Sequence, residues 1–95
     1  MATQQKHRYI LKSITLDEHF TTTSELFFRG ERAMNSWLDH SPEGQWCDKN
    51  VLYKDITFRI NYRYAGVGEY PVVQVMGELD EDQYTMFCLH KKSNT

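Results

Sequence analysis

The sequence predicts an α+β domain in the order β-α-β-β-β, with a four-stranded, largely antiparallel sheet and one amphipathic helix packed on one face. Three observations carry this expectation. Residues 26–38 repeat their apolar side chains at the helical period, residues 56–64 repeat them at every second position, and residues 70–76 and 83–91 carry apolar side chains at odd and even positions alike. One helix covers one face of a sheet, so apolar residues on the second face point to a partner.

The elements follow in chain order. Residues 8–16 (RYILKSITL) are rich in β-branched side chains and predict a first strand, with Ile10, Ile14 and Leu16 on one side and Tyr9 and Leu11 on the other. Thr22 followed by Glu25 is a capping box, which opens a helix that Ser41-Pro42 ends after His40. Leu26, Phe27, Gly30, Ala33, Met34, Trp37 and Leu38 fall on its apolar face. Gly30 in the middle of that face costs about 1 kcal/mol of helix propensity, which a close approach of helix to sheet offsets. Phe28 projects onto the polar face near Arg32. Residues 41–50 are rich in turn formers and predict a connector, whose Trp46 plugs the edge of the core. In residues 54–64, Ile56, Phe58, Ile60, Tyr62 and Tyr64 alternate with polar side chains, the pattern of a half-buried strand with the two tyrosines in the core. A glycine-bearing turn at 65–69, a return strand at 70–76 with Pro71 near its start, an acidic turn at 77–82 and a last strand at 83–91 complete the meander. Residues 1–6 and 92–95 are polar, unpatterned tails flanking a single domain over 1–95.

With 95 residues and a net charge of −2, the chain has room for one core, no global attraction to nucleic acid or anionic membrane, and no apolar run long enough to span a bilayer. Its start lacks the apolar region of a signal peptide, and two cysteines are too few for a secreted disulfide scaffold, so a reduced cytoplasmic protein is expected.

Catalytic and metal chemistry find little footing. His19, His40, Cys47, Cys88 and His90 supply no paired ligand knuckle, although Cys88 and His90 share a side of the predicted last strand; neither metal nor cofactor is expected. Cys47 has only His40 nearby as a base. The run Thr21-Thr22-Thr23-Ser24 suits capping better than nucleophilic attack. Gly66 and Gly68 begin a dinucleotide fingerprint that lacks its third glycine and its helix.

What remains is surface. Arg59, Asn61 and Arg63 share the outer side of the meander with apolar residues of the later strands, Val72 and Met76 lie opposite Val73 and Val75, and Phe28 with Arg32 offers a second patch on the helix. Glu78, Asp80, Glu81 and Asp82 form an acidic turn suited to docking a basic partner. The expected function is a non-enzymatic protein-binding module, an inhibitor or adaptor acting by surface occlusion, with a homodimer as one form of partner. The alternative is an RNA- or DNA-binding domain using the arginine-bearing face, with only Tyr53 nearby for stacking. In small size and lack of motifs the chain resembles phage proteins directed at host defence, including anti-CRISPR and anti-restriction proteins. That resemblance covers no alignable segment and implies an inhibitor.

Overall fold

The computed structural model of the protein describes residues 5–16, 22–65 and 68–93. Its elements run β1 (His7–Thr15), α1 (Thr23–His40), α2 (Pro42–Asn50), a 3-10 turn at Tyr53–Asp55, β2 (Ile56–Ala65), β3 (Gly68–Leu79) and α3 (Glu81–Ser93). The class is α+β with an antiparallel sheet, as expected. The inventory differs: the described residues form three strands where four were expected, and three helices in place of one.

The expected fourth strand is α3. Its start is a reciprocal capping box: the Asp80 carboxylate accepts from Gln83 N at 2.8 Å, and the Gln83 side-chain oxygen accepts from Asp80 N at 3.0 Å. Tyr84, Phe87 and Cys88 turn inward at helical spacing, whereas Met86 and Leu89 are 49% and 56% exposed. Apolar residues on all sides of a helix had mimicked a two-faced strand. The acidic turn is likewise redistributed, with Glu78 inside β3, Asp80 as the cap, and Glu81 and Asp82 in the first helical turn. The expected C-terminal tail begins too early, because Lys92 and Ser93 belong to α3.

The expected connector is α2. Pro42, which cannot continue α1, occupies the first turn of the next helix, where its missing N–H costs nothing. Ser41 closes α1 by donating its N–H to Trp37 O at 3.0 Å, and its hydroxyl bonds the carboxylate of Glu43. Gly44, Cys47 and Val51 then face the core.

α1 begins as the sequence predicts, with Thr22 Oγ1 accepting from Glu25 N at 3.1 Å. Leu26, Gly30, Met34, Trp37 and Leu38 are buried. Phe27 departs from the expected face: it is 57% exposed and rests on the sheet's rim, its ring 4.9 Å from that of Phe58. A Cβ on Gly30 would lie 2.8 Å from Phe58 Cε2 and 3.0 Å from Ile60 Cδ1, so the close approach read from the sequence is real. A second glycine contact is tighter, since a Cβ on Gly44 would lie 2.0 Å from the Trp37 carbonyl oxygen.

The strands lie in the order β1-β3-β2. Tolerance of Pro71 in the central strand follows from its position: its carbonyl accepts from Leu16 N at 2.9 Å, so the missing N–H falls at the last rung of the β1 ladder. β1 carries a bulge between Ile10 and Lys12. The bulge switches the parity partway along the strand, so that Tyr9, Leu11, Ile14 and Leu16, expected on two sides, all face the core and Ile10 is left 50% exposed. Gly66 and the centre of the expected 65–69 turn lie outside the described residues. Tyr62, expected in the core, is 54% exposed. Lys6, expected in a tail, pairs with Asp55 at 3.1 Å.

All three helices pack on one side of the sheet, around Val73, Val75 and Leu79 of β3. Trp37 of α1 and Trp46 of α2 both meet the Phe87 ring of α3, at 6.4 and 6.3 Å between centroids, and Tyr9 stacks on Tyr84 at 3.8 Å.

Replacing Trp37 with Ala should cost about 3–5 kcal/mol, read from urea unfolding midpoints; a loss below about 1 kcal/mol would contradict its place in the core. Gly44→Ala should destabilise by more than Gly30→Ala, because the first drives a methyl into backbone and the second into the movable ring of Phe58 and the tip of Ile60. Equal losses in the same assay would show that α2 can move away from α1.

Candidate functional site

The side of the sheet opposite the helices is the candidate site. On β3 it presents Val72, Gln74, Met76 and Glu78, which register with Asn61, Arg59 and Thr57 on β2 and with Thr15, Ser13, Ile10 and Arg8 on β1. No described helix contributes core residues to this side. Val72 and Met76 are nonetheless only 5% and 6% exposed, whereas Ile10, in register with Met76, is 50% exposed and is the accessible apolar group of the three.

Gln74 organises the polar half. Its side-chain oxygen accepts from Arg59 Nε at 2.7 Å and from Asn61 Nδ2 at 2.6 Å. Both side chains are thereby held over the central strand, which lowers the rotamer entropy that binding would otherwise remove. Arg63 stands opposite the half-buried Tyr70, and Arg8 pairs with Glu78 at 3.3 Å. The structure therefore brings five of the expected residues onto one surface: Arg59, Asn61, Arg63, Val72 and Met76.

Phe28 and Arg32 stand apart on the solvent side of α1, where the guanidinium lies 5.9 Å from the ring centroid and Phe28 is 58% exposed. This is a local cation–π pair. The acidic residues do not form one docking loop: Glu78 is on the sheet face, Asp80 caps α3, and Glu81 and Asp82 offset the positive end of the α3 dipole. Tyr53 is not beside the arginines; its hydroxyl donates to Asn35 of α1 at 3.2 Å.

Among the described residues two clefts flank the sheet, neither expected from the sequence. One, of about 320 Å³, lies between α1 and β2 and is lined by Phe27, Glu31, Met34, Tyr53, Ile56, Thr57 and Phe58. The other, of about 530 Å³, is lined by Gln5, His7, Tyr9, Glu81, Tyr84 and Thr85 where β1 meets α3. The adjacent Phe27-Phe28 pair was the available signal for the first, since no helix can bury two consecutive rings on one face.

Nucleophilic chemistry has no purchase at Cys47. It is fully buried, and loss of solvation, helped by the negative charge of Glu43, pushes its thiol from the ordinary 9.0 up to about 12. Glu43 itself is held below the usual carboxylate range by its bond with the Ser41 hydroxyl. Cys88 and His90, two residues apart on α3, do not share a helix face as they would on a strand. The Tyr84 hydroxyl is held above its ordinary value by its hydrogen bond with Cys88. His40 is engaged with Ser36 O at 3.0 Å, and His19 lies outside the described residues. Among the described residues no three His, Cys, Asp or Glu side chains are grouped to hold a metal ion. Nor is any described helix long and apolar enough to cross a membrane.

No protein-family model, curated protein or solved structure matches the chain. Site geometry alone carries the functional argument.

The raised Cys47 pKa has a consequence for stability. Well below pH 9 the thiol is protonated in both states; as pH rises through 9.0 toward about 12 mainly the unfolded chain loses the proton, and that share of stability disappears. Urea midpoints should fall more steeply over this range for the natural protein than for Cys47→Ala. Parallel slopes would show that Cys47 is hydrated in the folded state.

Proposed function

We propose that the protein is a non-enzymatic protein-binding module, an inhibitor or adaptor that acts by covering a surface of its partner with the outer face of its sheet. One observation carries this reading: the face opposite the three helices is uncovered by any described helix, and it combines an exposed Ile10 with Arg59 and Asn61 held in place by Gln74. Arginine anchors beside aliphatic groups on a rigid sheet are the composition of interface centres. Nucleic-acid stacking is less well served. The one tyrosine in register on this face, Tyr70, is half-buried, and Tyr62 shares the opposite face with Phe58 and Ile60.

Charge reversal at Arg59 and Arg63 tests the reading. Both side chains are exposed, so Arg59→Glu with Arg63→Glu should leave the circular dichroism spectrum and melting temperature nearly unchanged while weakening capture or self-association at least about tenfold. Crosslinks from the captured protein should fall on β2 and β3. Undiminished binding by the folded double variant, together with crosslinks at Phe28 and Arg32, would move the site to α1. Salt-dependent retention on nucleic acid that the same substitutions abolish would favour the nucleic-acid reading instead.

A further inference from the structure

Each outer strand of the sheet has one edge without a strand partner among the described residues, and the two edges are built differently. β1 is guarded: it is bulged between Ile10 and Lys12, and the bulge breaks the regular row of peptide groups that an added strand needs. β2 has neither bulge nor proline, and all ten of its residues pair with β3 without a shift of register.

The direction of its free peptide groups can be derived. Leu16 N donates to Pro71 O, so odd-numbered β3 residues aim their peptide groups at β1 and even-numbered ones at β2. Thr57, Arg59, Asn61 and Arg63, opposite the even residues, therefore bond to β3. The N–H and C=O of Phe58, Ile60 and Tyr62 face away from the sheet.

Chemistry differs on the two sides of this free row. On the helix side lies the cleft of about 320 Å³ walled by Phe27, Tyr53 and Phe58, with the Glu31 carboxylate in its lining. On the other side stand Arg63 and Arg59, the latter leaning toward Gln74 of β3, and β2 contains no acidic residue. A strand laid along β2 would place alternate side chains over an aromatic cleft that repels acids and over arginines that attract them.

We propose that β2 takes up an extended segment of a protein partner as a fourth strand, and that this segment alternates apolar and acidic residues. The proposal rests on the protein-binding reading above and specifies the chemistry of the partner. A second copy of this chain is a poorer occupant, because two β2 strands side by side would collect four arginines on one strip without a carboxylate from either strand.

The probe is a fluorescein-labelled ten-residue peptide alternating valine and glutamate, compared with its lysine counterpart by fluorescence anisotropy. The glutamate peptide should bind at least about tenfold more tightly. Tyr62→Pro removes an N–H that faces away from β3 and should abolish this binding, whereas Tyr62→Ala keeps the amide and should retain it. Two further peptides, N-methylated on one or the other alternate set of amides, test the pairing with the natural protein even if Tyr62→Pro does not fold: one set should be tolerated and the other not. Equal affinity for the glutamate and lysine peptides, tolerance of both methylated sets, or unchanged binding by a folded Tyr62→Pro would overturn the proposal. So would self-association that Tyr62→Pro abolishes, which would give the edge to a second copy. If the arginine reversals abolish capture of a native partner but no peptide binds, strand addition fails and the sheet-face reading stands; if neither responds, both fail.

Discussion

The Phe87 ring is the contact on which the arrangement of the helices depends. It is 2% exposed, and it meets Trp37 of α1 and Trp46 of α2, so one side chain from the third helix locks the other two. A three-stranded sheet spans about 10 Å between its outer strand axes, about the diameter of one helix, so the outward margins of its edge strands need further cover. α1 covers the β2 side through Gly30, α3 covers the β1 side through the Tyr9–Tyr84 stack, and α2 closes the gap between them. With all three helices committed to one face, no described helix covers the other.

Legibility of the fold in the sequence varied with how cleanly burial followed one period. α1 was readable because its buried positions repeat at helical spacing behind a capping threonine, and β2 because its side chains alternate. α3 was not, since Met86 and Leu89 are apolar yet exposed, and they filled the gaps in the helical pattern until it resembled a strand. Its local signal was nevertheless present in Asp80 and Gln83, spaced as a capping box and overlooked among the acidic neighbours. α2 was hidden by composition: Pro42, Gly44 and Asn50 suggest turns, and only tertiary contact makes Gly44 an asset. The bulge in β1 left no trace, because an inserted residue changes which side chains face inward without changing which are apolar.

The candidate site was legible in part. Apolar residues at both parities of β3 correctly marked a strand with two occupied faces, and the arginines of β2 were placed on the outer one. Their support was not visible, because the oxygen shared by Arg59 and Asn61 belongs to Gln74, whose role depends on cross-strand register. Nor does the sequence show that Val72 and Met76 are buried while Ile10, in register with Met76, is half exposed.

The bulged, lysine-bearing edge of β1 also bears on biosynthesis. His7 pairs with Leu79 and Thr15 with Val72, so β1 leaves the ribosome well before the strand it pairs with has been made. Throughout that interval β1 is an unpaired strand carrying Tyr9, Leu11 and Ile14, the kind of segment that joins wrong partners in a crowded polysome. An irregular backbone flanked by cations is a poor template for such pairing, and it protects the nascent chain until β3, which accommodates the irregularity, has been made.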